Sequence, residues 1–547
     1  MKKNRHSLLY IVFTVMLCLF YITPGLMASP GPYLQIQGTA TQLMVHGRPF
    51  LMIGGELGNS SASDLEYMKP VWPKLAGLNV NTILAPVYWE LLEPEENRFD
   101  YTLVDGLIEQ ARAHDMKLVF LWFGSWKNSM SCYAPYWVKA DPERFPRAVT
   151  KEGIPQEILS CFSQENLKAD QKAFAALMRH IKKIDDKDCT VIMVQVENEI
   201  GMIPDARDHS AVADTLFGGQ VPGELMQYLQ QHRDTLIPEF RTVWERSGYR
   251  MTGTWEEVFG EGLGTEEIFM AWYYARYVEA VTAAGKVEYN LPMYVNAALI
   301  RPDYLPGQYP SAGPLPHIMD IWRAGAPAID FLAPDIYFPN FAEWCQKYHR
   351  SGNTLFIPET GQGNTGAVNI YYAMGQHDAM GYCPFSIESG EDSDKNPLAG
   401  SYAVISQLAP LILENQGRNK MRGVLVDEEN PEQRVTLGDY TFVCSHEYTS
   451  KWTHRAPGDA WPRKGCMIIQ VGRDEYFIAG SGVIVTFEPA EKGAFIAGIG
   501  SLDEGRFING TWTPGRRMNG DQSHQGRHMR LSHWEHSIQK LKLYRYQ

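Results

Sequence analysis

The chain has 547 residues, 44% hydrophobic and 21% charged, with 63 acidic against 50 basic residues and a net charge of −13. That length exceeds one ordinary domain and suits a large domain joined to a smaller one. The acidic balance argues against nucleic acid and anionic membrane surfaces as partners.

Residues 1–28 read as an export signal. Lys2, Lys3 and Arg5 form a basic start, "SLLYIVFTVMLCLFYI" an apolar middle, and "GLMA" before Ser29 offers a small residue for cleavage. The apolar run is shorter than the roughly 20 residues a spanning helix needs. Cleavage near Ala28 and a periplasmic or extracellular location are therefore expected. Cleavage leaves 47 of the 50 basic residues and all 63 acidic ones, a net charge of −16. It also leaves cysteines 132, 161, 189, 345, 383, 444 and 466. Their number is odd and none forms a CxxC pair, so neither a zinc site nor a disulfide scaffold is expected, and at least one thiol is free. One or two bridges stay open.

Eight short apolar runs then end in polar residues. They are "FLMIGGE" (50–56), "VNTILAPVYWE" (80–90), "KLVFLWFGSW" (117–126), "VIMVQVENEI" (191–200), "LPMYVNAA" (291–298), "DFLAPDIYF" (330–338), "TLFIPETG" (354–361) and "MGYCPFSIESG" (380–390). Continuous apolarity suits parallel strands covered on both faces. Helical patterns lie between them, among them "YTLVDGLIEQARAHD", "QKAFAALMRHIKKIDD" and "IFMAWYYARYVEAVTAAGK". The pattern predicts a (β/α)8 barrel over 29–417, with its largest insertion near 201–270. An open doubly wound sheet would want a glycine-rich phosphate turn after the first strand, and "GGELGNSS" does not fit one. From 418 to 547 the texture changes to alternating apolar runs with Gly turns, which predicts a β-rich domain, a sandwich or partial barrel, packed on the first.

Barrel chemistry sits at the C-terminal ends of the strands. The run ends there supply Glu56, Trp126, Asn128, Asn198, Glu199, Asn296, Asp335, Tyr337 and Glu359. The set holds carboxylates, amides and aromatics, with no His, Cys or Lys nucleophile and no metal triad. Two carboxyls on facing strands are the minimum for breaking a glycosidic bond: one protonates the leaving oxygen and the other attacks the anomeric carbon. Glu199 and Glu359 are the candidate catalytic pair. Such a reaction needs no cofactor.

"VQVENEIG" (194–201) resembles the Gln-(Ile/Val)-Glu-Asn-Glu motif of glycoside hydrolase family 35, the β-galactosidases of clan A. The resemblance extends to "GGELGNSSAS" (54–63), "YWELLEPEENRFDY" (88–101), "FIPETGQG" (356–363) and the C-terminal "EGRFINGTWTPGRRMNGDQSHQGRHMRL". It implies Glu199 as acid/base, Asn198 as partner of the substrate 2-hydroxyl and Glu359 as nucleophile. The implied activity is that of an exported, retaining, exo-acting β-galactosidase with a carbohydrate substrate. Many members have Tyr where Pro86 stands and an acid where Ser125 stands, so a β-glucoside, β-glucosaminide or α-L-arabinopyranoside is the nearest alternative. A carbohydrate-binding protein that lost the chemistry is the distant one.

Glu56 reads as a substrate ligand or a buried polar group. Tyr337 reads as a donor to the nucleophile, Trp126 as a sugar platform, and Asn128 and Asn296 as ligands. Glu197, on a strand whose neighbours alternate faces, is expected to point away from Glu199 and act structurally. The Glu93, Glu95 and Glu96 cluster reads as a solvated loop. His524, His528, His533 and His536 lack the supporting carboxylates of a metal site.

Overall fold

The computed structural model describes residues 31–450, 458–491, 493 and 495–547. The expected export signal lies outside the described residues. Eight parallel strands close a barrel: β1 (Met52–Glu56), β2 (Thr82–Tyr88), β3 (Lys117–Lys127), β4 (Val191–Asn198), β5 (Met293–Ala298), β6 (Phe331–Ile336), β7 (Ile357–Thr360) and β8 (Gly381–Pro384). Each pairs with its sequence neighbours, and β8 closes on β1. Nearly every strand residue is buried, as expected of strands covered on both faces.

The helices include α1 (Thr102–Ala113), α2 (Gln164–Asp185), α3 (Leu263–Glu288), α4 (Phe341–Tyr348), α5 (Gly363–His377) and α6 (Pro397–Asn415). The sequence pattern anticipates α1, α2, α3 and α6. It passes over α4 and α5. α5 begins "GNTG" and is buried along most of its length, so it lacks the one-sided apolar stripe that marks a surface helix. The long insertion after β4 folds into four short helices between Ala211 and Phe259. A three-stranded sheet (Tyr33–Gln37, Ala40–Val45, Arg48–Phe50), unread in the sequence, is tied by Gln37 and Gln42 to Leu413 and Gln416 at the end of α6.

The C-terminal part is an antiparallel sandwich. A six-stranded sheet runs β9 (Met421–Val426), β12 (Lys464–Gln470), β13 (Glu475–Ser481), β18 (Ser537–Tyr546), β15 (Ile496–Ile508) and β16 (Thr511–Arg517). A four-stranded sheet runs β10 (Glu432–Leu437), β11 (Tyr440–His446), β14 (Val483–Pro489) and β17 (Met529–Arg530). Val424, Phe442, Cys444, Ile468, Ile478 and Val485 are among the core residues between them. The outer face of the larger sheet packs on α5 through the barrel's own core, which takes in Met467, Ile469 and Ala479. A Cβ on Gly375 of α5 would stand 2.8 Å from Arg422 O, and one on Gly423 of β9 2.7 Å from Tyr372 Cα. Glycine at both positions lets helix and strand backbones meet. All seven cysteines are free thiols, so the bridges left open by the sequence are not formed.

Candidate active site

The mouth of the barrel is shaped by a bulge. Trp122 of β3 pairs with Val196 of β4, and the next pair is Lys127 with Asn198. Residues 123–126 therefore stand opposite Glu197 alone. Gly124 is required in this turn, since a Cβ there would lie 2.2 Å from Trp122 Nε1 and 2.8 Å from Glu197 Oε1. Glu197 has φ 62° and Glu199 φ 45°, a left-handed backbone that strains residues with a Cβ.

This irregularity corrects the expectation for Glu197. It does point away from Glu199, but regular alternation is not the cause, because residues two apart on a regular strand share a face. Glu197 Oε2 accepts the Trp126 N–H at 2.8 Å inside the bulge. Burial, and then the neighbouring Asp170 charge, push its carboxyl well above the usual range. Asp170 accepts from Trp122 Nε1 at 2.8 Å and Ser125 Oγ at 2.6 Å. Ser125 is thus drawn into a buried network.

Glu199 stands at the mouth, fixed by its own N–H donating to Asn296 Oδ1 at 3.0 Å. Asn128 Nδ2 donates to Glu199 Oε2. Burial, and then the Glu359 charge, raise the Glu199 carboxyl to about 7, with Lys127 opposing. Glu359, on β7, accepts from Tyr337 OH at 2.9 Å, Asn198 Nδ2 at 3.3 Å and Asn296 Nδ2 at 3.5 Å.

Two further carboxyls adjoin the pair. Asp335 of β6 accepts from Asn296 Nδ2 at 2.7 Å. Burial, and then the Glu359 charge, raise it well above the usual range. Glu56 of β1 is fully buried beside Glu359, and burial and then the Glu359 charge raise it as well. Among them sits Lys127, which the sequence reading missed by ending the third run at Trp126. Its Nζ donates to Asn198 Oδ1 at 2.8 Å. Burial alone would lower its pKa, but the charges of Glu359, Glu199, Glu56 and Asp335 together raise it.

The described residues also contain a group the sequence reading did not foresee: Glu199, Asp335 and Glu359 each offer an oxygen within 4.8 Å of the others. By spacing alone this trio could hold a hard cation. Lys127 already supplies positive charge to the same carboxyls, and Asn128, Asn296 and Tyr337 engage one oxygen of each. The four C-terminal histidines form no such group.

A cleft of about 490 Å³ opens over Glu199 and Asp335, lined also by Asn128 and Tyr337 and walled by Leu299 and Tyr309. The wall is held by buried Glu267, which accepts from Tyr309 OH at 2.8 Å and Ala312 N at 3.1 Å. The volume suits one or two sugar units. Tyr337 is half exposed in the cleft.

Other expectations need correction. Trp126 is wholly buried, edge-on to Tyr274 and Tyr277, with Nε1 donating to Leu159 O at 3.2 Å. It is core, because the bulge turns its side chain outward, away from the cleft. Asn198, Asn296 and Glu56 are also fully buried. In place of lining the cleft, the two amides bond the carboxyls and lysine behind it, and Glu56 is a buried acid. Glu93 is buried as well, accepting from Trp89 Nε1 and Asn97 N, so that cluster is not wholly solvated.

Residues 61–259 match the profile of a family described as beta-galactosidase, glycosyl hydrolase 42. Part of the barrel segment is thus similar to β-galactosidase-like glycoside hydrolases. The matched segment contains Glu199 and stops short of Glu359. Its family is numbered 42, whereas the Glu-Asn-Glu motif resembles family 35; the β-galactosidase type is what the two share. Residues 398–530 match a domain of unknown function, DUF5597, which begins inside α6. A beta-galactosidase of Xanthomonas manihotis is 24% identical over 209 residues, covering 37% of this chain and 32% of that protein. Similar solved structures include a beta-galactosidase from Rahnella sp. R3 (TM-score 0.45, 16% identity, 66% of this chain and 57% of that one). Another is the catalytic domain of beta-amylase from Paenibacillus polymyxa (TM-score 0.46, 11% identity, 65% and 98%). The chain thus spans about a third of the curated relative and just over half of the Rahnella structure.

Proposed function

We propose that the protein is a retaining, exo-acting β-galactosidase, exported by way of residues 1–28, with Glu359 as nucleophile and Glu199 as acid/base. The observation that carries this reading is the asymmetry of the pair. Glu359 accepts from three hydrogen-bond donors and lies beside the Lys127 ammonium. Glu199 faces one side-chain donor and is raised to about 7, so it holds a proton near neutrality. Carboxyl groups about 5–5.5 Å apart suit retention, and these two approach within 4.8 Å, oxygen to oxygen.

In the first step Glu359 attacks the anomeric carbon while the bond to the leaving oxygen breaks and Glu199 gives that oxygen its proton. The product is a glycosyl ester of Glu359. Glu199, now ionised, takes a proton from water as the water oxygen attacks the same carbon. This frees the sugar and restores both carboxyls. Tyr337 and Asn198 hold Glu359 in line.

The galactose assignment draws on the β-galactosidase type of the matched segment and on the family 35 resemblance of the Glu-Asn-Glu motif. One observation favours a second reading. Ser125 stands where many family 35 members carry a sugar-contacting acid, and here it bonds Asp170 and Tyr277 in the interior. A glycone that does not need that contact, a β-glucoside, β-glucosaminide or α-L-arabinopyranoside, is the alternative. The test is hydrolysis of p-nitrophenyl β-galactoside by the native protein and by Glu359→Gln, beside the other three glycosides. Galactoside turnover lost in the variant supports the proposal. Turnover of another glycoside alone moves the specificity, and unchanged turnover in Glu359→Gln removes the assigned nucleophile.

A further inference from the structure

A second cavity, of about 220 Å³, lies where the C-terminal sandwich meets the barrel. Its walls include Asn364 at the start of α5, Lys395 just before α6, Arg463 and Lys464 at the start of β12, and Trp534 and Glu535 on the loop before β18. Nothing in the catalytic reading uses it.

Trp534 is unusual in this chain. Seven tryptophans are fully buried, whereas Trp534 is 85% exposed. Its ring is nonetheless held: it packs on His533 with centroids 3.9 Å apart, and His533 Nδ1 meets Glu447 Oε2 at 2.8 Å. A supported, exposed indole beside a cavity is the form of a stacking platform for a sugar face.

The cations beside it are also unusual in so acidic a chain. Lys464 is partly buried, and among the described residues its Nζ donates to the His533 carbonyl at 3.1 Å and forms no ion pair. Burial lowers its pKa, against the opposing charge of Glu447. Lys395 is exposed and forms no ion pair through its side chain. Arg463 is engaged by Asp427 at 3.4 Å and by the Pro339 carbonyl at 2.6 Å. Glu535 also belongs to the lining. The Arg463 contact also matters for placement. Pro339 follows Tyr337 by two residues, so the cavity adjoins the loop that forms the catalytic cleft.

We propose that this cavity is a binding site for an anionic glycan, in which Trp534 stacks on a sugar ring and Lys395 and Lys464 pair with the carboxylate or sulfate groups of the chain. It rests on the glycoside hydrolase reading above and extends it. The natural substrate would be a polysaccharide with acidic units, held by the sandwich while its terminal sugar enters the barrel.

The test measures binding, without turnover, on the mature chain. Titration calorimetry is run with tetragalacturonate, a sulfated galacto-oligosaccharide of similar length and neutral galactotetraose, for the native protein, Trp534→Ala and the double variant Lys395→Ala/Lys464→Met. The proposal expects binding of at least one anionic probe, about tenfold or more tighter than the neutral one and weakened by salt. Trp534→Ala and the double variant each lose about tenfold or more in affinity, while turnover of p-nitrophenyl β-galactoside is unchanged. Preference between the two anionic probes distinguishes carboxylate from sulfate. Equal affinity for the neutral probe, no binding of either anionic probe, or unchanged affinity in Trp534→Ala would overturn it. Binding in the Glu359→Gln protein is expected to persist, which separates failure of this site from failure of the catalytic assignment.

Discussion

Lys127 Nζ donates to Asn198 Oδ1 at 2.8 Å, and this contact sets one ammonium among the buried carboxyls of Glu56, Glu199, Asp335 and Glu359. One positive charge cannot offset four negative ones among buried carboxyls, so some of the acids stay protonated. Burial and mutual repulsion raise Glu56, Glu199 and Asp335. Removing the cation raises them further. Lys127→Met is expected to move the alkaline limb of the kcat/KM profile up by about one pH unit or more, because Lys127 opposes the rise of Glu199. Lys127→Arg should restore part of the shift. A profile that stays in place would rule out this role.

The alkaline limb reports the acid. Glu199 carries its proton below about 7, so kcat/KM should fall as pH rises through that value. Glu199→Gln should slow hydrolysis of a poor leaving group by roughly 10² to 10⁴. It should slow a dinitrophenyl glycoside much less, because that leaving group departs without a proton. Glu359→Gln should abolish both. Equal losses for the two leaving groups in Glu199→Gln would contradict the acid role.

The same shift links pH to stability. A carboxyl whose folded pKa is raised contributes stability that is fully present below its unfolded value, near 4.5, and is lost as pH rises through about 7. Glu199→Gln removes that dependence. Urea unfolding should find the variant gaining on the native protein between pH 5 and pH 8, by up to about 3 kcal/mol at one pKa unit per 1.36 kcal/mol. A constant difference across that range would mean that Glu199 is not raised.

Trp126 and Tyr337 should separate core from cleft. Trp126→Ala empties a site between Tyr274 and Tyr277 and should destabilise the fold by about 3–5 kcal/mol. Tyr337→Phe deletes only the hydroxyl that meets Glu359. It should lower kcat tenfold or more with about 1 kcal/mol of stability change. Thermal unfolding beside kinetics distinguishes the two. A stable Trp126→Ala with raised KM would return Trp126 to the cleft.

The order of strands was legible because burial on both faces leaves a local trace: an apolar run that stops at a polar residue. Eight such stops gave the barrel and brought Glu199 and Glu359 to one mouth. α5 left no trace of this kind, since a helix covered nearly all round has no polar face to set its period. The C-terminal stretch showed strands, while the seating of its larger sheet on α5 depended on Gly375 and Gly423, whose meaning appears only when helix and strand approach.

By itself, then, the sequence determined the barrel, the β-rich second part and the two carboxyls, because each is written in short-range periodicity or in a strand's polar end. Only the tertiary structure decided which neighbours of those carboxyls face them. The bulge between β3 and β4 sets Lys127 against Asn198 and sends Trp126 and Glu197 outward. A bulge changes the parity of every side chain beyond it, and its presence is fixed by packing from distant strands that no local pattern records.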